Sequence, residues 1–117
     1  MYKILITGGA GYIGCVLTNL LLKKGFFVYS MDNLKHSKKK FFKTVKKNKN
    51  FKFHECDINN IKKIEKFLKN NKVDYVVHLA GIVGDPASKL QKKLTKLTNL
   101  TSSKKLFFLF EKYNIKK

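Results

Sequence analysis

The chain contains no arginine and no tryptophan, a single proline and only two cysteines. Every one of its 26 basic residues is therefore lysine, and the net charge is +19. A charge of that size invites a polyanion as partner. The missing arginine argues against nucleic acid, because the guanidinium fork is the group that reads phosphates and base edges bidentately. Lysine with abundant Asn, Ile and Phe reads instead as the codon bias of an AT-rich genome. No aromatic-basic RNA motif and no helix-turn-helix pattern is present. The charge still attracts anionic ligands at low salt. Cys15 and Cys56 form no C-x-x-C pair and read as small packing thiols in a reducing, cytoplasmic setting. No run approaches the ~18 apolar residues of a membrane span, and the N-terminus lacks a secretory leader's apolar stretch and cleavage site. Membrane and metal are thus not expected as partners.

What the chain does have is apolar residues in short blocks. They make up 44% of 117 residues, enough for one core and one domain. Lys3 to Thr7 reads as a buried strand, Tyr12 to Lys24 as an amphipathic helix stopped by Gly25, and Phe26 to Met31 as a second strand. Residues 33–50, dense in Lys and Asn, read as a solvated loop or a ragged short helix around Phe41, Phe42 and Val45. Phe51 to Cys56 is a third strand. Asp57 to Asn59 offers caps for a helix through Ile61, Ile64, Phe67 and Leu68 that Asn70-Asn71 closes. Val73 to Leu79 is a fourth strand. After a loop with Pro86, a last helix runs from about Leu90 to Tyr113, with Asn114 as its stop. Strands alternating with helices imply an α/β fold. A parallel sheet of order 3-2-1-4 with helices on both faces is expected, one half of a doubly wound fold.

The segment Thr7-Gly8-Gly9-Ala10-Gly11-Tyr12-Ile13-Gly14 lies between the first strand and the first helix. Its glycines have distinct jobs. Gly8 allows a tight turn out of the strand, Gly11 lets backbone N–H groups approach a pyrophosphate, and Gly14 lets the helix pack closely on the strand. The helix N-terminus at Tyr12 and Ile13 then faces a diphosphate with free N–H groups and a partial positive charge. The strand-turn-helix context is what separates this motif from a chance glycine triplet. Asp32 ends the second strand, roughly 20 residues beyond the loop, where a carboxylate meets the adenosine ribose hydroxyls. The same carboxylate repels a 2′-phosphate, so the expected cofactor is NAD rather than NADP.

With these residues the chain resembles the extended short-chain dehydrogenase/reductase family, the NAD-dependent epimerase/dehydratases. Thr-Gly-Gly-Ala-Gly-Tyr-Ile-Gly and Asp32-Asn33-Leu34 look especially like the UDP-glucose 4-epimerase group. The resemblance implies a Rossmann-type fold and places Asp57-Ile58 beside the adenine ring. It places Leu79, Ala80 and Gly81, in His78-Leu79-Ala80-Gly81, under the cofactor's central ribose and phosphates. It makes Asn99 a cofactor-side asparagine on the next helix. His78 itself reads as a packed strand residue.

The family continues into a fifth strand with a catalytic Ser or Thr and then a Tyr-x-x-x-Lys pair. By the resemblance, residues 1–117 are the NAD-binding part, truncated before that fifth strand, with no catalytic residue of their own. Tyr113 and Lys117 match the spacing, but the Asn114 stop breaks the helix that would align them. The expected function is the NAD-binding portion of a nucleotide-sugar epimerase or dehydratase, with the sugar nucleotide bound only if a C-terminal part is supplied. The alternatives are a non-catalytic NAD-sensing or partner-binding module and a Lys-driven nucleic-acid binder. The fourth strand is expected to lack a partner on its far side. Leu106 to Phe110 is apolar around most of its helix, which makes self-association or a complementary C-terminal chain the expected protein partner.

Overall fold

A computed structural model of the chain describes residues 1–35, 42–80 and 102–117. Strands and helices alternate: β1 (Lys3–Thr7), α1 (Tyr12–Lys23), β2 (Phe27–Asp32), β3 (Phe51–Glu55), α2 (Ile61–Asn70), β4 (Tyr75–His78) and α3 (Ser102–Lys112). The strands run parallel in the order β3-β2-β1-β4. Ile4 lies beside Val28 on one side and Tyr75 on the other, so β1 is central. The start of the last helix expected near Leu90 falls outside the described residues. No helix among the described residues is long and apolar enough to cross a membrane.

Side chains alternate across the sheet and build two cores, as a strand's period of two requires. Ile4, Ile6, Val28 and Phe51 turn to the α1 face, where they meet Ala10, Cys15, Phe42 and Val45. Leu5, Tyr29, Met31 and Val76 turn to the other face, against Ile64, Phe67 and Leu68 of α2 and Leu106, Leu109 and Phe110 of α3. The residues α1 buries are small, Gly14, Cys15 and Thr18, which lets the helix sit close to the sheet. Its outer flank is apolar as well: Tyr12, Ile13, Val16 and Leu20 are exposed.

Helix ends are set by local chemistry. Gly25 takes φ +87°, with Gly25 N–H donating to Leu22 and Phe26 N–H to Leu21, the paired bonds of a Schellman cap. Phe26 therefore belongs to this cap, and β2 begins one residue later than the sequence suggests. The same device closes α3. Asn114 takes φ 54°, Asn114 N–H donates to Glu111 and Ile115 N–H to Phe110. Asn tolerates this left-handed geometry better than other non-glycine residues. The cap delivers Ile115 into the core and Lys116 to the sheet.

Lys116 corrects one expectation. The far side of β4 is not bare, because Tyr75 and Lys116 form a parallel bridge. Val76 N–H donates to the Lys116 carbonyl at 2.8 Å, and Lys116 N–H to the Asp74 carbonyl at 3.0 Å. The apolar run in α3 is also better covered than its pattern implies. Leu106, Leu109 and Phe110 are buried, and only Phe107 and Phe108 are exposed.

At the start of α2 the cap is Asn60, not a residue from 57–59. Its Oδ1 accepts from Lys63 N–H at 3.2 Å. Asn60→Ala should lower the unfolding free energy by about 1 kcal/mol, the usual loss when a side-chain cap is removed. Urea denaturation measures this, and an unchanged midpoint and slope would rule the cap out as a contributor.

Candidate functional site

Because the sheet is parallel, all four strands end on one edge. The chain leaves β1, β2, β3 and β4 at that edge, and the order reverses between β1 and β4, the switch point at which open α/β sheets bind ligands.

The loop after β1 is built by backbone proximity. Gly8 takes φ +70°, and a Cβ there would lie 2.7 Å from the Ala80 nitrogen and 2.8 Å from the Leu79 carbonyl carbon. Gly8 is thus both the turn out of β1 and the point where this loop touches the β4 exit. A Cβ on Gly14 would lie 2.6 Å from Gly8 O and 2.7 Å from Gly9 Cα. Gly14 therefore packs against the loop itself, whereas the sequence reading set it against the strand. Among the described residues, a Cβ at Gly11 would meet only Gly8 O, at 3.3 Å, so those residues leave the space beyond it open.

Gly11 is the N-cap of α1, and no side chain caps this end. The first-turn amides at Tyr12, Ile13 and Gly14 have no acceptor within the helix, as at any helix start. Tyr12 and Ile13 are exposed. The result is a cluster of donors with a helix dipole behind it and open space in front, which suits an anion such as a diphosphate.

Asp32 ends β2 and is tied to both neighbouring turns. Its Oδ2 accepts from Ala10 N–H at 3.0 Å and its Oδ1 from Leu34 N–H at 2.8 Å. Each oxygen keeps a lone pair for a further donor, so the carboxylate is oriented yet able to accept two hydroxyls. Asn33 is exposed and accepts from Lys35 N–H, while Leu34 takes φ 61° and packs against the α1-side core. Asp57 follows β3 in an Asx turn, its Oδ1 accepting from Asn59 N–H at 2.8 Å. Ile58 turns its side chain into the α2-side core. Leu79 and Ala80 form the wall opposite the loop; Gly81 and Asn99 lie outside the described residues.

Three further groups escape the sequence reading. Gly9 is needed because a Cβ there would run into Ser30 Oγ, a buried hydroxyl without a partner among the described residues. Thr7, at the end of β1, receives Ala80 N–H on Oγ1 at 3.3 Å. His78 contacts Thr7 Oγ1 through Nδ1 at 2.6 Å and Ser103 Oγ through Nε2 at 2.8 Å. Cys15 and Cys56 are buried, and burial raises both thiols above their ordinary pKa, which fits packing rather than reactivity. Tyr113 and Lys117 do not form an acid/base pair: Tyr113 hydroxyl donates to Glu65 at 3.3 Å and Lys117 pairs with Glu111. Among the described residues no cluster of His, Cys, Asp or Glu could hold a metal ion.

The family model of the NAD dependent epimerase/dehydratase family matches residues 4–117. A UDP-glucose 4-epimerase of Cyamopsis tetragonoloba is 36% identical over 120 residues, an alignment covering 97% of this chain and 34% of that enzyme. Among solved structures, the UDP-glucose 4-epimerase of Thermotoga maritima with UDP-glucose is 30% identical with a TM-score of 0.86, and 97% of this chain covers 35% of it. The Thermus thermophilus UDP-glucose 4-epimerase in complex with NAD is 26% identical with a TM-score of 0.84, again with 97% of this chain on 35% of the other. The chain thus spans about a third of the length of the relatives it matches.

Proposed function

The chain belongs to the NAD-dependent epimerase/dehydratase family, and from that membership we propose that it forms the cofactor-holding part of a nucleotide-sugar epimerase or dehydratase. The observation that carries the reading is the uncapped start of α1 beside an open Gly11 and an oriented Asp32. In this reading Gly8, Gly11, Tyr12, Ile13 and Gly14 surround the pyrophosphate, and Asp32 accepts hydrogen bonds from the adenosine ribose. Asn33, Leu34, Asp57 and Ile58 flank the adenosine end, and Leu79, Ala80, Gly81 and Asn99 the opposite half. NAD in such a site would take a hydride from a sugar carbon and return it. The residues of this chain bind and orient; none of those described is assigned the proton transfer. That step, and the sugar nucleotide, would need groups beyond the cofactor-holding part.

One observation favours a second reading, a module that binds NAD and docks a partner without turnover. The flank of α1 carrying Val16 and Leu20 is apolar and exposed. A chain that binds NAD and recruits a complementary C-terminal chain without gaining epimerase activity would favour it.

Calorimetric titration with NAD tests the cofactor reading. The wild-type chain should bind, and Gly11→Val should weaken binding about tenfold or more, because a branched side chain enters the space where the diphosphate must approach. The variant should keep its far-UV spectrum, since only one backbone atom of the described residues is near that position. An unchanged dissociation constant would place the diphosphate elsewhere.

A further inference from the structure

We propose that His78 is a positioning residue of the cofactor site: through the Thr7 hydroxyl it fixes the β4 exit, the wall against which Gly8 of the phosphate loop is packed. The inference rests on the cofactor reading above and extends it to a residue that touches no cofactor atom.

The hydrogen-bond inventory of the described residues favours one arrangement of the network. Thr7 is 1% exposed, so its hydroxyl must find its partners inside the protein. Ala80 N–H can only donate, and it points to Thr7 Oγ1 at 3.3 Å. The hydroxyl hydrogen is then free to donate to His78 Nδ1, 2.6 Å away, which accepts only when the ring proton sits on Nε2. Nε2–H in turn donates to Ser103 Oγ at 2.8 Å. The opposite tautomer, or a doubly protonated ring, drives a second donor into Oγ1 and leaves the hydroxyl hydrogen to seek another acceptor. Among the described residues, the neutral Nε2–H form is the one that also gives the Thr7 hydroxyl hydrogen an acceptor.

The surroundings keep the ring neutral. It faces Thr7 of β1, and Ser103 and the edge of the Phe107 ring of α3 at 5.8 Å. Burial lowers its pKa below the ordinary histidine value, and no charged group is among the causes.

The network reaches the site through Ala80. With Gly8 and the Leu79–Ala80 peptide in backbone contact, any shift of Ala80 moves the phosphate loop. His78 thereby joins the ends of β1 and β4 and the first turn of α3.

Three measurements on the full chain test this. Ring-nitrogen NMR should show the Nε2–H tautomer near neutral pH and a titration below that of ordinary histidine; an Nδ1–H ring would overturn the proposal. Amide exchange at Ala80 should quicken about tenfold in His78→Phe, which keeps the bulk but not the acceptor. His78→Asn, whose Oδ1 can replace Nδ1 as acceptor, should stay within about threefold of wild type. NAD affinity should follow the same order. A space-filling role would predict the reverse, with Phe the better substitute, and that result would overturn the proposal. If the Phe variant does not fold, the wild-type tautomer and the Asn variant still decide. A wild type that binds no NAD would overturn the cofactor reading, whereas unchanged Ala80 exchange in His78→Phe would overturn the clamp regardless of binding.

Discussion

Gly14→Ala should abolish measurable NAD binding and destabilise the fold, although alanine is the better helix former. The added Cβ would lie 2.6 Å from Gly8 O and 2.7 Å from Gly9 Cα. Both are backbone atoms, so no rotamer change relieves the clash. Helix propensity returns up to ~1 kcal/mol. Overpacking costs about 1–3 kcal/mol, and more where backbone must move. The relief available is to push α1 off the loop, which carries the first-turn amides away from the phosphate position. Binding should fall by about a hundredfold or more, equivalent to ~3 kcal/mol. Calorimetry and urea denaturation run together distinguish this from Gly11→Val, which should weaken binding with the smaller loss of stability. A Gly14→Ala protein with wild-type stability and affinity would mean that the loop and helix have slack that these distances deny.

The second large effect concerns the choice between dinucleotides. Wild type should prefer NAD over NADP by about a hundredfold or more. A 2′-phosphate at 4 Å from the Asp32 carboxylate is repelled by about 4 kcal/mol per unit charge at an effective dielectric near 20, and nearby lysines reduce that figure. Lys35 is the nearest of these in sequence, and its exposed position lets solvent screen it. Asp32→Asn should bring the two affinities within about tenfold of each other. The ratio is the quantity to measure, because the variant also disturbs the loop. One of the two amides now held by Asp32, from Ala10 or Leu34, would face an NH2 group instead of an oxygen. That damage weakens both dinucleotides alike and cancels in the ratio. Equal affinities in the wild type would remove Asp32 from the ribose.

Much of this site was legible because its signals are local. Gly8 and Gly14 mark a turn and a close contact within seven or so residues, Gly11 lies between them at the start of α1, and Asp32 follows at the end of the next apolar block. The strand order followed from the alternation of elements. The boundaries were less legible. Phe26 and Val73 are apolar, and composition does not say which apolar residues pair in a ladder and which serve a cap or an entry turn. Gly25 and Asn114 were readable as stops, yet the consequence of Asn114 was not. Two residues beyond a helix cap carry no periodicity, so the pairing of Lys116 with β4 could not be seen. The Thr7–His78–Ser103 contact was hidden for a different reason. It joins residues 71 and 25 positions apart, and only the crossover from β1 to β4 brings them together. Gly9 escaped because its neighbour, Ser30 Oγ, comes from the next strand.

Of the four strands described, β1 waits longest in the chain for its second neighbour. Its partners on one side are Phe27 to Met31, but on the other side Ile4 waits for Tyr75. The Lys3–Asp74 contact alone spans 71 residues. At cellular elongation rates that interval lasts roughly 4–14 s. Throughout it, one edge of an apolar strand has no native neighbour and needs to be kept from other chains. The wall at Leu79 and Ala80 does not exist until that interval ends. On the proposed cofactor reading, a dinucleotide would stabilise the folded chain by mass action only after residue 80 has left the ribosome, and would give no help to the nascent β1–α1–β2 unit before then.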